Sequence, residues 1–408
     1  MTADTSEAGV RVARVRDGII KRGKTWSYVI RVTDSRGVSK PRWVGGFATE
    51  SEAKRARDEA RLAASRGAFV DRSTITLNQY LTQWLDVHAL EVKPRTLVGY
   101  EHLIRRYVQP RIGTVRLQTL RPAALSSFYR DLLEHGGRNG GPLSARSVEY
   151  VHAVLRKALN DAVRNDQLLT SNPAERAKRP RTGYTEPTVT WTAGQLATFL
   201  ETTKSHRLHA FFRLAAFTGA RRGELMNLRW VDVDLDDIPR IRLRGSVAVI
   251  KGERVEGTTK GGRERTVSID PGTVEVLRRH REQQEQDRSI AQGSWVDGDH
   301  VFRMQLGPPL FPDTPTALMT KLVRLHNRNA AAQGCAILPE IRLHDLRHVH
   351  ATLLLKAGVP VHVVADRLGH ADPAITLRVY AHVLSGQANE AALVFQQEVE
   401  GQQSARNT

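Results

Sequence analysis

The sequence predicts a multidomain α+β protein: a small three-stranded sheet with one helix, then a helical bundle, then a mainly α domain holding a small antiparallel sheet. Three observations support this prediction. The chain has 408 residues, short alternating apolar runs give way to helical periodicity near residue 70, and mixed runs return after residue 190. Since domains usually hold about 100–200 residues, we expect two to four of them.

The charge of the chain indicates a polyanionic partner. Its 61 Lys and Arg against 43 Asp and Glu give a formal net charge of +18. The excess is uneven, with +7 in residues 1–70, +8 in residues 71–184 and only +3 in residues 185–408. A basic N-terminal half is typical of proteins that bind the phosphates of nucleic acid.

Cysteine usage and hydropathy exclude several classes of protein. A single cysteine, Cys335, rules out an internal disulfide framework and a cysteine-based zinc site. The first residues lack the apolar region of a signal peptide, and no run approaches the roughly 18 apolar residues of a membrane span. We therefore expect a protein of the reducing bacterial cytoplasm, associated with DNA and not with a membrane.

The first predicted domain, residues 1–70, is a three-stranded sheet followed by a helix. Short β-type runs alternate with turns such as Asp17-Gly18, and Thr49 or Ser51 caps a polar, Ala-rich helix. Its basic residues suit a sheet laid on DNA. Three aromatic residues lie among the strands and are interpreted mainly as core, with base stacking as the alternative: Trp26, Tyr28 and Trp43.

Residues 73–180 are predicted to form a four-helix bundle with a basic exterior. Helix starts are indicated at Thr74 or Thr76, Pro94, Pro122 and Ser144. In the last helix, apolar residues recur at three- and four-residue steps, at Val148, Val151, Leu155, Leu159 and Ala162. Residues 178–187, rich in Pro, Gly and basic residues, are interpreted as an interdomain linker.

The third predicted domain spans residues 185–395, and residues 396–408 are expected to be a flexible tail. Two helices, at about 193–204 and 206–218, precede strand-like runs at 240–250 and 265–269 that flank a Gly-rich turn at 257–262. Five further helices are predicted at 271–288, 314–332, 344–357, 360–368 and 373–384. A last apolar stripe in residues 388–400 is expected to dock onto a neighbouring protomer.

Four separated segments of this domain carry reactive side chains. They are TGARRGEL with Arg221, TTKGGRERTVSI with Lys260 on a turn, HDLRH with His344 and Arg347, and LGHADPAITLRVYAH with His370 and Tyr380. Asp372 is a good N-cap and Pro373 a good first-turn residue, so Tyr380 is predicted two turns into a helix.

In this order and spacing the elements closely resemble the tyrosine recombinase (phage-integrase) family, across the whole catalytic half and more loosely across the helical domain. Residues 1–70 resemble the arm-site-binding domain of many integrases. The resemblance implies a site-specific DNA recombinase, the integrase of a phage or integrative mobile element, that cleaves and rejoins DNA through a 3′-phosphotyrosyl intermediate on Tyr380. It implies no metal, ATP or other cofactor. The implied partners are double-stranded core and arm-type attachment sites, a homotetramer on DNA, and DNA-bending or directionality accessory proteins.

The residue types agree with this chemistry. Phosphodiester cleavage concentrates negative charge on phosphoryl oxygens, to which Arg221 and Arg347 present planar forks of donors. His370 is suited to donate a further hydrogen bond to a nonbridging oxygen.

The nucleophile and the leaving group both need a proton transfer. The phenol of Tyr380, with an ordinary pKa of about 10, requires deprotonation or stabilisation of its anion, and His344 is expected to assist as base. Lys260 is expected to protonate the departing 5′-oxygen.

Several residues in or near these segments have other interpretations. Glu224 is interpreted as a structural partner of Arg221, and Arg222 as facing solvent or the DNA backbone. A metal site at His344, His348 and His350 is not predicted, because no Glu or Cys completes it. The acidic run at 232–237 is interpreted as a solvated loop and not as a two-metal nuclease site.

Two other functions remain as alternatives. A type IB topoisomerase would share the nucleophile and the cations but would relax supercoils without specific sites. A non-catalytic DNA-binding regulator would use the basic N-terminal half alone and would not nick DNA.

Overall fold

The computed structural model describes residues 17–33, 38–65, 69–180, 189–259, 261–384 and 395–396. The chain divides into two compact units between residues 185 and 186. In the described ranges, no helix is long and apolar enough to cross a membrane. The combination of many helices with small antiparallel sheets confirms the predicted α+β class.

The N-terminal unit begins with a three-stranded antiparallel sheet and one helix, as predicted. The strands β1 (Ile19–Arg22), β2 (Thr25–Thr33) and β3 (Ser39–Phe47) pair in that order, and α1 (Glu50–Ser65) packs against them. Thr49 caps α1, because its hydroxyl accepts the amide of Glu52 at 3.2 Å. One face of the sheet is buried against α1 through Ile19, Tyr28, Ile30 and Val44.

The aromatic residues of this sheet have different environments. Tyr28 is buried, Trp26 is half-buried, and Trp43 leaves 44% of its surface exposed. The guanidinium of Arg22 lies over the Trp43 ring, 4.6 Å from its centroid. The interpretation as core residues is therefore right for Tyr28 and wrong for Trp43, which alternates with buried Val44 and so lies on the opposite face of the sheet.

Four helical segments complete the N-terminal unit. They are α2 (Leu77–His88), α3 (Pro94–Leu103) with its continuation α4 (Gln109–Ile112), α5 (Pro122–His135) and α6 (Ala145–Arg164). Thr76 forms a capping box with Gln79, and Ser144 caps α6. The apolar stripe predicted for α6 is buried, whereas Arg146, Arg156 and Arg164 are exposed.

A π-helical stretch, Ile104–Val108, joins α3 to α4. It lies just before Pro110, whose ring would clash with the carbonyl of Arg106 in a regular α-helix. In the wider stretch the amide of Gln109 bonds to the carbonyl of Ile104, five residues earlier. The helix thereby continues past the proline.

The C-terminal unit contains two small antiparallel sheets. β4 (Val233–Asp234), β5 (Arg240–Leu243) and β8 (Arg265–Ser268) form one, and β6 (Gly245–Ile250) and β7 (Glu253–Thr258) form a hairpin. The predicted run at 240–250 is thus two strands in different sheets. The predicted turn at 257–262 is wrong in its first residues, because 257 and 258 belong to the unforeseen strand β7.

Helices form most of the C-terminal unit. They are α7 (Ala193–Thr202), α8 (His209–Thr218), α9 (Arg222–Leu225), α10 (Pro271–Ala291), α11 (Thr314–Ala332), α12 (Asp345–Lys356), α13 (Val361–Leu368) and α14 (Pro373–Leu384). The core surrounds α8, which contacts α7, α9, α10 and α12. Phe211 and Phe212 of α8 are fully buried and pack edge-on against Phe302 and Phe199. Close packing on several sides makes the end of α8 a rigid support for the residues after it.

Arg367 fastens α13 to α8 and β8. Its guanidinium donates to the carbonyl oxygens of Phe217 at 3.0 Å and Ser268 at 2.9 Å. The predicted docking helix at 388–400 and the tail at 396–408 lie outside the described residues, apart from 395 and 396. The predicted linker at 178–187 is described only to residue 180.

Candidate active site

Arg221 is positioned by the end of α8. Gly219 terminates α8 with φ +61°, and Arg221 follows as the N-cap of α9. A Cβ at Gly219 would lie 2.8 Å from a ring carbon of His350, so only glycine fits this close approach. Gly219 therefore makes the sharp turn between α8 and α9 that places Arg221.

Glu224 fixes the orientation of Arg221. Its carboxylate accepts Nη1 of Arg221 at 2.9 Å and the Arg221 amide at 2.8 Å. Only 1% of Glu224 is exposed. Burial alone would raise its pKa, but bonds from Arg265 and Arg221 outweigh burial and lower the pKa to about 2. Glu224 is thus a structural partner, as predicted, whereas Arg222 pairs with Asp313 at 2.7 Å and not with solvent alone.

Arg265 joins this cluster and was not foreseen from the sequence. It stands at the start of β8 and donates from Nη1 and Nη2 to the two oxygens of Glu224, at 3.0 and 2.7 Å. Its Nε donates to the carbonyl of Arg367 at 3.1 Å. In the sequence, only its position shortly after the Lys260 turn marks it, and many surface arginines share that feature.

Arg347 is the most buried cation of the cluster, with 5% of its surface exposed. Its Nη1 donates to the carbonyl of Gly219 at 2.8 Å. Its Nη2 is buried and has no hydrogen-bond partner among the residues that the structure describes. Desolvation, followed by the neighbouring charge of Arg221, lowers the pKa of Arg347 to about 9.

Tyr380 lies on α14 with 3% of its surface exposed. Its hydroxyl is hydrogen-bonded to Nδ1 of His348, at 2.7 Å. Burial raises the pKa of Tyr380 to about 12, and the charge of Arg347 opposes that rise. The predicted nucleophile is thereby next to a predicted arginine and in contact with a histidine that the prediction had left out.

His344 and His348 lie one helical turn apart at the start of α12. His344 is the exposed N-cap residue, and its ring meets the half-buried ring of His348 edge-on, with centroids 5.5 Å apart. Partial desolvation, then the charges of His348 and Arg347, lower the pKa of His344 to about 4. The predicted base, His344, therefore contacts the ring of His348, and His348 is the residue that is hydrogen-bonded to the phenol of Tyr380.

His370 follows the end of α13. Gly369 terminates that helix with φ +68°, and its carbonyl accepts Nη2 of Arg221 at 3.4 Å. Nδ1 of His370 is hydrogen-bonded to the hydroxyl of buried Thr376 at 2.7 Å. Desolvation, and then the charges of Arg347 and Arg221, lower the pKa of His370 to about 4. His370 therefore belongs to the same cluster as the arginines.

Lys260 lies outside the described residues. Next to it, Thr259 accepts the Gly262 amide on its carbonyl at 3.0 Å and donates its hydroxyl to the carbonyl of Arg263 at 2.8 Å. Of the six predicted residues, the structure brings together five, namely Arg221, His344, Arg347, His370 and Tyr380.

Side chains of the two metal interpretations have other partners in the structure. Within the described ranges, no group of three His, Cys, Asp or Glu side chains is placed to hold a metal ion. His348 bonds to Tyr380, and His350 bonds to the carbonyl of Ala216 at 2.9 Å. In the acidic run at 232–237, three aspartates form ion pairs with arginines, namely Asp232 with Arg244, Asp234 with Arg240 and Asp236 with Arg278.

Three models of known families match successive parts of the chain. The Arm DNA-binding domain matches residues 19–62, the N-terminal SAM-like domain of phage integrases matches residues 76–133, and the phage integrase family matches residues 192–386. A tyrosine recombinase XerC-like protein of Caldanaerobacter subterraneus subsp. tengcongensis is 28% identical over 91% of this chain and 96% of its own length. The integrase of Mycobacterium phage L5 is 27% identical over 83% of this chain and 81% of its own length.

Solved structures show the same fold. The Tn1549 transposon integrase in complex with a circular intermediate DNA has a TM-score of 0.65 at 20% identity, and covers 78% of this chain and 99% of its own. A lambda integrase tetramer bound to a Holliday junction has a TM-score of 0.53 at 17% identity, and covers 88% of this chain and 96% of its own. The resemblance inferred from the motifs is confirmed, and the chain belongs to the phage integrase family of tyrosine recombinases.

Proposed function

We propose that this recombinase cleaves each DNA strand by attack of the Tyr380 hydroxyl on a phosphodiester, with Arg221, Arg347 and His370 binding the nonbridging oxygens. One observation carries the proposal. A buried phenol lies beside a buried guanidinium whose Nη2 has no hydrogen-bond partner among the described residues. Buried donors are rarely left unpaired, and a phosphate oxygen is a strong acceptor for such a group.

The charges of the site favour the same substrate. Desolvation and Arg221 already lower the pKa of Arg347, so a bound anion would relieve the crowding of positive charge. Arg221 and Arg265 share the single carboxylate of Glu224, which leaves a net positive site. A phosphodiester that gains negative charge on the way to the transition state is stabilised most strongly in such a site.

The remaining roles complete the proton transfers. His344 is proposed to assist the deprotonation of Tyr380, since it lies at the edge of the cluster. Lys260 is proposed to protonate the departing 5′-oxygen. The expected products are a 3′-phosphotyrosyl bond and a free 5′-hydroxyl. Because the phosphotyrosyl ester retains the energy of the phosphodiester, a second DNA end can attack it without ATP. No metal ion is required, since the arginine side chains balance the negative charge on the phosphoryl oxygens.

The domains are proposed to divide the work of DNA binding. Residues 1–70 would bind arm-type sites, whereas 73–180 and 185–395 would clamp the core site. A homotetramer on two duplexes is proposed, since a related lambda integrase has been seen as a tetramer on a Holliday junction. DNA-bending or directionality proteins are proposed as further partners. The physiological setting is proposed to be bacterial DNA in the cytoplasm, since the relatives are proteins of bacteria and their phages.

The test is covalent capture on a nicked suicide duplex built from the DNA that flanks the gene, because integrase genes commonly lie beside their own attachment site. In EDTA, the wild-type chain should form an adduct that survives denaturing electrophoresis, and Tyr380→Phe should form none. Tyr150→Phe, at an exposed position of α6, is the matched control and should form the adduct normally. An adduct with Tyr380→Phe, or none with the wild type, would refute the assignment.

The same preparation separates the alternatives. Relaxation of a supercoiled plasmid that lacks the flanking sequence would favour a type IB topoisomerase. Tight binding of the duplex without any nicking would favour a non-catalytic regulator. Recombination between two duplexes that carry the site would be expected only of the proposed enzyme.

A further inference from the structure

Among the described residues, His348 is the side chain that is hydrogen-bonded to the hydroxyl oxygen of Tyr380. It follows Arg347 on α12, and its Nδ1 lies 2.7 Å from the hydroxyl oxygen of Tyr380 on α14. This is a short hydrogen bond between two side chains 32 residues apart in sequence. Within the described part of the chain, it is the only hydrogen bond of the phenol. No role among the six predicted site residues accounts for it.

We propose that His348 accepts the proton of Tyr380 during DNA cleavage and returns it during ligation, acting through Nδ1. This inference rests on the proposed attack by Tyr380 and adds a residue to it. In the tautomer of His348 that carries its proton on Nε2, Nδ1 accepts the single proton of the phenol. A proton acceptor already within hydrogen-bond distance is the geometry that general base catalysis requires.

The surroundings of His348 keep its ring neutral. Its pKa is lowered from the ordinary value, by desolvation first, while Asp345 opposes and Arg347 and Arg342 add to the lowering. Asp345 is itself paired with Arg342 at 3.1 Å, so its charge is largely balanced. The ring of His344 packs edge-on against His348. A neutral imidazole whose Nδ1 is unprotonated can take up a proton.

The position of His344 explains why His348 is the better acceptor. His344 is exposed at the helix N-cap, and its described contact is with the ring of His348 and not with the phenol. His344 is therefore placed to influence the protonation of His348 from one side. The two histidines would act in series and not as substitutes for each other.

The proton balance of the step closes within the chain and its substrate. In cleavage, the Tyr380 O–H bond breaks, its proton passes to His348, and the phenolate oxygen forms a bond to phosphorus. The phosphorus–O5′ bond breaks, and the 5′-oxygen receives a proton from the proposed acid, Lys260. In ligation the incoming 5′-hydroxyl gives its proton to the neutral amine of Lys260, and the departing phenolate recovers a proton from the imidazolium of His348.

The test compares His348→Asn with the wild type in single-turnover cleavage of the nicked flanking-sequence duplex, from pH 6 to pH 9. The amide oxygen of asparagine can accept the phenol hydrogen bond near the position of Nδ1 but does not take up the proton. We expect cleavage at pH 7 to slow by about 10²–10⁴-fold, the usual contribution of a general base. We also expect the variant rate to rise about tenfold per pH unit from pH 7 to pH 9, because ionisation of the phenol must then precede attack.

A second variant distinguishes proton transfer from a loss of structure. His348→Ala should be slow and should be accelerated by added imidazole, which supplies the missing acceptor. His362→Asn, an exposed histidine of α13, is the matched control and should keep the wild-type rate and pH profile. Circular dichroism and DNA binding would verify that each variant is folded.

Two outcomes would overturn the inference. One is a wild-type rate in His348→Asn. The other is a slow variant whose pH profile equals that of the wild type and whose alanine counterpart imidazole does not rescue. Either result, obtained while the wild type still forms its adduct, refutes the role of His348 and leaves the attack by Tyr380 intact. Failure of the wild type to form an adduct would instead refute the proposed function.

Discussion

Replacement of Glu224 by glutamine tests whether one buried carboxylate holds the arginine cluster together. In the wild type this carboxylate binds Arg221 and Arg265 and leaves 1% of its surface exposed. Lowering of its pKa from 4.5 to about 2 corresponds, at about 1.4 kcal/mol per pH unit, to about 3.5 kcal/mol of stabilisation. Loss of one partner of a buried ion pair costs about 3–5 kcal/mol in other proteins, so the two magnitudes agree.

The pH dependence gives the sign of the effect. Because the pKa of Glu224 is lower in the folded state, the unfolded chain takes up the proton first as the solution is acidified. The stabilisation is therefore complete above about pH 4.5 and disappears as the pH falls toward 2. We expect Glu224→Gln to lower the free energy of unfolding by about 3.5 kcal/mol at pH 7, and by only about 1.5 kcal/mol at pH 3.

The measurement is a urea titration of the full chain in which unfolding is monitored by peptide-resolved hydrogen exchange. This gives the free energy of unfolding of the C-terminal unit separately from that of the N-terminal unit. The matched control is Glu201→Gln, since Glu201 pairs with Lys204 on the surface with 70% of its side chain exposed. The control should change the stability very little. Equal stabilities of Glu224→Gln and the wild type at pH 7, or a deficit of the same size at pH 3, would refute the reasoning.

Two further predictions concern the end of α8. Gly219→Ala should lower the free energy of unfolding by about 3 kcal/mol in urea titration, because φ is +61° and the new Cβ would lie 2.8 Å from His350. The control, Gly252→Ala, should lose only about 1 kcal/mol, because Gly252 has φ +88° but no atom within 4 Å of the new Cβ. Equal losses in the two variants would contradict the steric argument. His350 donates from Nδ1 to Ala216 and accepts from Arg367 on Nε2, and desolvation, then Arg367, lowers its pKa to about 4. Because the unfolded chain takes up a proton on His350 first as the pH falls, the wild type should lose about 2 kcal/mol of stability between pH 7 and pH 5 through this residue. Urea titrations at both pH values should show that His350→Gln does not have this loss. The same pH dependence in the variant and the wild type would contradict the prediction.

The helices of this protein could be predicted because their signals are local. Thr76, Ser144 and Asp372 use their side chains to bind the first amides of the helices they precede. The stripe of α6 has the period of a helix and is buried where predicted. The π-helical stretch before Pro110 could not be predicted, since periodicity alone favours a break at a proline.

Strand β7 was missed for a different reason. Its residues, Glu253–Thr258, are mostly exposed and polar and show no apolar alternation. The strand exists because it pairs with β6 through a turn in which Lys251 and Gly252 have positive φ. The partner and the turn geometry decide such a strand, and neither is visible in its own composition.

The candidate site shows the same limit. Motif spacing identified Arg221, Arg347 and Tyr380, which the fold brings into one cluster. The parts played by Arg265 and His348 depend on contacts between side chains 41 and 32 residues apart. A sequence pattern names residue types along the chain, but it does not say which histidine of a pair will face a phenol.

The left-handed glycines that terminate α8 and α13 make assembly of the arginine cluster depend on folding of the whole C-terminal unit. The Gly219 carbonyl holds Arg347 from 128 residues away, and the Gly369 carbonyl holds Arg221 from 148 residues away. Neither guanidinium reaches its working orientation until both helices and α12 have folded. A partly unfolded chain therefore lacks the anion-binding cluster even though it contains Tyr380, and we expect it not to nick DNA.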